Sequence, residues 1–203
     1  MHTKIYGFLK RSFDLAASLG GLLILCPIMF IITLLIIKED GGPVFYRGVR
    51  VGRYGKPFRI FKFRTMVKDA EKIGPSSTGD DDPRITKIGK YLRRFKLDEL
   101  PQLINVLKGD MSMVGPRPQV PWAVELFNSD EKILLQVRPG ITDYASIQFH
   151  NEGEILAGYD DADKAYMEII HPEKMRLAVE YVKEMSLITD TKIIFSTLIK
   201  LIK

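Results

Sequence analysis

The sequence predicts a mainly α chain with a small β-hairpin, a re-entrant (Pro-kinked) membrane helix and interfacial amphipathic helices. Three observations predict it. The 23 residues from Leu15 to Ile37 carry no charge yet are interrupted by Pro27. Lys and Arg flank that stretch on both sides. The C-terminal run Thr189 to Lys203 sets Ile193, Ile194, Phe195, Leu198, Ile199, Leu201 and Ile202 among lysines 192, 200 and 203, a membrane-surface composition.

The charge-free stretch comes first. As a helix it rises about 34 Å, enough to cross a bilayer core. It exceeds the roughly 7 to 15 apolar residues of a secretory signal, and no small-x-small cleavage site follows, so it is expected to be retained. Pro27 lacks an N–H and clashes with the carbonyl four residues back, which predicts a strong kink at Cys26-Pro27. Lys4, Lys10 and Arg11 precede the stretch; Lys38, Arg47, Arg50, Arg53, Lys56 and Arg59 follow it. Basic flanks favour the cytoplasm, so a single span is contradictory, whereas a hairpin bent at Cys26-Pro27 returns to the side it left. An ordinary kinked transmembrane helix is the alternative. The chain thus divides into residues 1–40, the membrane helix with its basic N-terminus, and 41–203, a domain on the cytoplasmic face.

The remainder supports one compact domain. At 203 residues, 46% hydrophobic and 27% charged, the chain is not disordered, collagenous or a disulfide scaffold. Cys26 is the single cysteine and fits a reducing compartment. A net charge of +5 favours phosphate-rich or anionic partners: nucleic acid, acidic lipid or nucleotide.

Val44 to Met66 reads as a basic hairpin around Gly52-Arg53-Tyr54-Gly55. Gly74 to Pro83 is a polar loop, after which Pro83 begins a helix with Ile85, Ile88, Leu92 and Phe95 on one face. A second helix runs from Asp98 to Lys108, with Pro101 in its first turn and Gly109 as its stop. Met113 to Pro118 is a rigid loop. Helical stretches follow around Trp122 to Phe127 and on to Val137, then a turn at Arg138-Pro139-Gly140. Pro172 to Met185 is helical, and residues 143–160 receive no assignment.

Chemistry concentrates at Asp98-Glu99, two carboxylates at the positive end of a helix, where a phosphate could also dock; ordinary capping gives the same pattern. Around them stand Lys62, Arg64, Arg93, Arg94, Arg117 and Arg138. Each alone also reads as a solvated surface charge. Arg117 is held between Pro116 and Pro118, whose fixed φ pre-organises its fork for a phosphate or a nucleotide base. Glu99 with the acids at 80 to 82 offers the few carboxylates that Mg2+ uses beside substrate phosphates. Histidines 2, 150 and 171 lack metal-ligand spacing, and no glycine-rich nucleotide loop is present. Arg59 to Phe63 mimics a nucleic-acid patch, but the membrane segment argues against that partner.

These motifs, taken in order, resemble the bacterial sugar transferases of the monotopic (small) polyprenyl-phosphate phosphoglycosyl transferase superfamily, in their minimal, catalytic-core form. The resemblance covers nearly the whole chain. It is carried by the Pro-broken helix Lys10 to Ile37, Lys62-Phe63-Arg64-Thr65-Met66, Asp82-Pro83-Arg84-Ile85-Thr86, Leu97-Asp98-Glu99-Leu100-Pro101-Gln102, Asn105 to Ser112, Val114-Gly115-Pro116-Arg117-Pro118 and Val137-Arg138-Pro139-Gly140-Ile141-Thr142. It implies transfer of a sugar 1-phosphate from a UDP-sugar to polyprenyl (undecaprenyl) phosphate, releasing UMP. Asp98 would be the nucleophile of an aspartyl-phosphosugar intermediate and Glu99 the ligand of Mg2+. Lys62, Arg93, Pro116, Arg117, Pro118 and Arg138 would bind phosphate and nucleotide, and Cys26-Pro27 would be the membrane break. The implied location is the cytoplasmic face of the bacterial inner membrane; separately, amphipathic helices on one plane allow a homodimer, and no nucleic-acid partner is expected.

Two departures stand out. Many members have Ser-Pro where this chain has Cys26-Pro27, and a thiol is a weaker donor to a freed carbonyl. After Thr142 many continue Gly-Trp-Ala-Gln-Val-Asn-Gly, whereas this chain has Asp143 to Glu152, so no sugar identity is carried over. The alternative function is a noncatalytic membrane adaptor of a glycan-assembly complex; a peripheral nucleic-acid binder ranks third.

Overall fold

A computed structural model describes residues 2–74 and 77–202, with side chains for 5–74 and 77–200. Met1, Pro75, Ser76 and Lys203 lie outside the described residues, as do the side chains of His2, Thr3, Lys4, Leu201 and Ile202. The chain is mainly helical with three two-stranded sheets among the described residues.

Helix α1 (His2–Asp40) dominates one side. Its buried and half-buried residues recur at helical spacing: Tyr6, Lys10, Asp14, Ser18, Gly21, Leu25, Met29, Ile32 and Ile36. Leu23, Ile24 and Phe30 project outward, Ile24 being 78% exposed. The inward stripe is polar in its first half. Lys10 Nζ lies 2.7 Å from Asp190, Arg11 donates to the carbonyls of Val106 and Leu107, and buried Asp14 accepts from Ser112 Oγ and Met113 N. Its second half is apolar, Ile32 and Ile36 packing with Phe63 and Leu92. At the end, Glu39 accepts from Lys87 N and Ile88 N, and Asp40 accepts both guanidinium nitrogens of Arg64. Both ends of α1 are therefore tied to one body.

Helix α1 stays helical through Cys26-Pro27, so a bend there would lie within one helix and not in a loop between two. Proline removes one ladder bond, and the inward stripe passes from Leu25 to Met29 without a change of face. Cys26 itself is exposed.

The basic hairpin is present. Strands β1 (Phe45–Tyr46) and β4 (Lys62–Phe63) pair antiparallel, as do β2 (Val49–Val51) and β3 (Pro57–Arg59), with Phe45 opposite Phe63 and Val49 opposite Arg59. Ile60 N donates to Gly48 O between the two pairs, so one register runs down the ribbon. Gly52 N closes the tip on Lys56 O, with Gly55 at φ 72°.

Helix α2 (Lys87–Arg94) starts later than Pro83 predicts, because the Thr86 hydroxyl caps Gly89 N while Ile85 bridges to Met66. Gly89 allows the helix to sit on the hairpin's exit strand, since a Cβ there would lie 2.0 Å from Thr65 O. Lys96 at φ 53° then reverses the chain. The second helix is also shorter than Asp98–Lys108. Pro101 has no N–H to return to Leu97, so Leu97–Glu99 closes as a 3-10 turn and α3 spans Gln102–Lys108, stopped by Gly109 at φ 90°.

The rigid loop at 113 and the turn at 140 contain an unexpected parallel pair. Strand β5 (Ser112–Val114) pairs with β6 (Gly140–Thr142), Ser112 opposite Gly140 and Val114 opposite Thr142. Helix α4 (Pro121–Glu125) and a 3-10 segment, Glu131–Gln136, form the crossover. The unassigned stretch folds as α5 (Tyr144–Gln148) and α6 (Glu152–Leu156), followed by α7 (Ala162–Ala165) and a π turn, Tyr166–Ile170. Helix α8 (His171–Lys183) buries Met175 and Ala178 against Phe127 and Leu134. Tyr181 is fully buried beside Val114 and donates to Asp190 at 2.7 Å. Helix α9 (Leu187–Ile202) buries Ile193 and leaves Ile188, Phe195, Leu198 and Ile199 exposed, an amphipathic division.

Candidate active site

Four local structures converge on one cavity. Strand β4 brings Lys62, held in register opposite Tyr46 and backed by buried Phe63. Helix α2 carries Arg93 in its last turn. The 3-10 turn presents Asp98 and Glu99. The close approach of Gly115 to Gly140, whose N donates to Pro116 O at 2.9 Å, holds Pro116-Arg117-Pro118 over that turn. The resulting cavity is about 750 Å³, and its wall includes Lys62, Arg93, Asp98, Glu99, Arg117 and Pro118.

The carboxylates do not cap a helix, and they are not equivalent. Glu99 Oε1 accepts from Lys62 Nζ at 2.7 Å and from Arg117 Nη2, while Oε2 accepts from Arg117 Nη1 at 3.2 Å. Burial opposes ionisation of Glu99, yet Arg117 and Lys62 outweigh it and hold that carboxyl well below its ordinary value. Asp98 is 8% exposed and its carboxylate makes no hydrogen bond among the described residues; its ion-pair partner is Lys62, 3.8 Å away. Burial pushes the Asp98 carboxyl up, against the opposing Lys62 charge and with the added repulsion of Glu99. One acid is thus a fixed structural anion, and its neighbour a desolvated carboxylate with free lone pairs.

Arg93 faces the same space. Its Nη2 donates to Thr78 Oγ1 at 3.0 Å, and its Nη1 is buried with no hydrogen-bond partner among the described residues. A buried guanidinium with unused donors suits a multiply charged oxyanion. Lys62, Arg93 and Arg117 are therefore cavity-wall groups, not solvated surface charges.

Of the other sequence candidates, Arg94 and Asp80 reach the cavity wall and the rest lie elsewhere. Arg64 turns away to Asp40 and to the carbonyls of Pro43 and Met66. Arg94 lines the cavity at an exposed position. Pro116 faces a smaller hollow behind Arg117. Arg138 is outside the cavity wall, its Nε donating to Gly109 O at 2.9 Å. Asp82 is engaged by Arg84 and Asp81 by Gly158 N, leaving Asp80 on the cavity wall.

The opposite wall escaped sequence reasoning. His150 to Glu154, Tyr166, His171 and Lys174 line it, with Lys174 ion-paired to Glu152 although only 5% exposed. Nothing in their spacing signals it, because contacts across more than 50 positions of chain create the wall.

The donor chemistry fits Mg2+ in one form. Among the described residues Asp98 accepts no hydrogen bond, and Glu99 retains unused lone-pair capacity, which suits a cation that takes one or two carboxylates and completes its shell with substrate phosphates. Among the described residues no group of three or more His, Cys, Asp or Glu forms an all-protein cage.

Comparison with known proteins gives consistent matches. A family model described as bacterial sugar transferase matches residues 5–203. The chain is 42% identical over 200 residues to the galactosyl transferase CpsE of Streptococcus agalactiae, covering 93% of this chain and 41% of that protein. It is 37% identical over 198 residues to the UDP-N-acetylgalactosamine-undecaprenyl-phosphate N-acetylgalactosaminephosphotransferase of Aeromonas hydrophila, covering 96% and 44%. It is 34% identical over 209 residues to the exopolysaccharide production protein ExoY of Rhizobium meliloti, covering 96% and 85%. The chain thus spans about two fifths of the first two relatives and most of the third.

Proposed function

The chain belongs to the bacterial sugar transferase family, and on that premise we propose that it transfers a sugar 1-phosphate from a UDP-sugar to undecaprenyl phosphate, releasing UMP. The observation that carries this reading is the hydrogen-bond-free, desolvated Asp98 carboxylate, set beside Lys62 in a cavity that also holds the unpartnered Arg93 Nη1. An Asp98 oxygen attacks the phosphorus bearing the sugar; the bond from that phosphorus to the bridging oxygen breaks, and UMP leaves with the bond's electron pair. The aspartyl-phosphosugar is then attacked by a phosphate oxygen of the polyprenyl phosphate, which forms the diphosphate linkage and restores the Asp98 carboxylate. A carboxylate nucleophile divides one displacement into two.

The neighbouring groups have matching tasks. Lys62, Arg93 and Arg117 balance the charge of the diphosphate, while the Glu99 bridge holds Lys62 and Arg117 in place without flexible searching. Glu99, with Asp98 adjacent, would hold Mg2+, which would supply further neutralisation of the diphosphate. An adaptor has no use for a largely desolvated carboxylate opening on a cavity, since its burial costs stability.

The same reading gives the membrane helix a purpose. A helix of 39 residues is about 58 Å long, and both of its ends are tied to the one body through Lys10–Asp190 and Asp40–Arg64. A crossing helix would carry one of those contacts to the far side of the bilayer. The proposed placement is re-entrant, with Pro27 deepest, α9 in the interface and both termini on the cytoplasmic side of the inner membrane. Impermeant thiol labelling of single cysteines added at the two termini is expected to reach both only after the membrane is opened to the cytoplasmic face; labelling from opposite faces would restore a spanning helix.

UMP release by the detergent-solubilised chain, with undecaprenyl phosphate, Mg2+ and a panel of UDP-sugars, tests the reaction. Its pH profile tests the site. Activity should fall on the acid side as Asp98 takes up a proton, at a pH above the ordinary aspartate value. Lys62→Met removes the charge opposing that rise, so the acid limb should move to still higher pH, beyond any loss in rate. An unmoved limb would separate Lys62 from Asp98.

A further inference from the structure

Arg138 was left over by the cavity, and its surroundings have their own chemistry. Its Nε is bound to Gly109 O, and Arg11 lies against the same glycine, a guanidinium nitrogen 3.3 Å from where a Gly109 Cβ would stand. Arg11 spends two N–H groups on Val106 O and Leu107 O, at the carbonyl end of α3. Arg53, at the hairpin tip, donates its Nε to Gln136 O, two residues before Arg138. Three guanidiniums are thus gathered by backbone carbonyls, and among the described residues none of them has a carboxylate partner. The nearby acids are committed: Asp14 to Ser112 and Met113, Asp110 to Lys108 and Asn105. Burial, with the charges of Arg11 and Arg53, pushes the Arg138 guanidinium below its ordinary value.

The depth of this cluster is set by α1. Arg11 precedes the charge-free stretch by four residues, about 6 Å of helix, so it stands where headgroups meet the hydrocarbon. Tyr54, beside Arg53 at the hairpin tip, is 66% exposed with the Arg53 guanidinium 4.5 Å from its ring centre, an arrangement suited to that boundary. Carbonyls take only some of the five N–H donors of each guanidinium, and a phosphate matches the fork that remains.

We propose that Arg11, Arg53 and Arg138 form a binding site for the phosphate of an anionic membrane lipid, outside the reaction cavity. The site rests on the membrane placement of α1 and not on the transfer chemistry. It anchors the hairpin tip and the α3 terminus at headgroup level, which sets the height of the cavity above the bilayer.

The full chain in neutral detergent provides the test, with its melting midpoint followed by fluorescence. Dioleoylphosphatidylglycerol near saturation is expected to raise the midpoint by roughly 5 °C. Dioleoylglycerol, with the same tails and no phosphate, and inorganic phosphate, with no tails, are expected to leave it unmoved. Arg138→Gln and Arg53→Gln should each lose at least half of the shift. Arg53 sits in an exposed turn, so its variant remains informative if Arg138→Gln fails to fold. No shift with the phospholipid, an equal shift in wild type and Arg53→Gln, or an equal shift with inorganic phosphate or dioleoylglycerol would overturn the proposal. UMP release plays no part in this readout, so failure of the transfer reading would leave the result intact.

Discussion

Asp98→Asn is expected to lower UMP release by about 10³-fold or more, the scale of loss when a covalent nucleophile is removed. The amide keeps the shape of the side chain but supplies no anionic oxygen to attack phosphorus. The variant should nevertheless fold. The Asp98 carboxylate makes no hydrogen bond among the described residues, and its burial opposes ionisation, so a neutral side chain relieves a cost; its melting temperature is expected to hold or rise. Glu99→Gln is the informative contrast. That change leaves Lys62 and Arg117 facing a neutral amide in place of the anion they share, so activity and melting temperature should fall together. A folded Asp98→Asn protein with full turnover would remove the nucleophile assignment, and a wild-type chain silent with every UDP-sugar would favour the adaptor.

Gly140→Ala is expected to have the largest effect on stability. A Cβ at this position would lie 2.0 Å from Gly115 N and 2.5 Å from Gly115 O, so the parallel strands must separate. The atoms it meets are backbone and cannot rotate away. Such overpacking costs about 3 kcal/mol or more, or roughly 6–12 °C in melting temperature for a chain of this size. Activity should fall further than stability alone explains, because the same contact places Arg117 on Glu99. Gly7→Ala is the control: in the exposed part of α1 it has nothing within 4 Å of the added methyl, so activity should be unchanged and stability unchanged or slightly raised. Melting curves for the two variants, read beside UMP release, check the prediction.

Much of the local structure is legible in the sequence because it arises from near neighbours. The hairpin around Gly52 to Gly55, the stop at Gly109, and the amphipathic division of the C-terminal helix all depend on residues within a turn or two of one another. Elsewhere a distant partner or a missing donor decides. Pro83 looked like a helix start, but Thr86 caps α2 because Ile85 is drawn to Met66. Asp98 looked like a helix cap, but Pro101 cannot close the first turn, and the carboxylates were left facing a cavity. The pairing of residues 112–114 with 140–142 depends on two glycines meeting back to back, which no periodicity announces.

The candidate site divides in the same way. From the residues alone came the identity of the chemistry: a carboxylate pair, an arginine clamped by prolines, scattered cations, and an apolar helix with basic flanks. Those follow from side-chain type and short spacing, which any fold must carry. Tertiary structure alone decided which cations matter and what each acid is for. It directed Arg64 to Asp40, Arg138 to Gly109 and Arg117 to Glu99, and it left Asp98 desolvated beside Lys62. The reason is physical: an ion pair is made by distance and a carboxyl's proton affinity by burial, and both belong to contacts between segments remote in the chain.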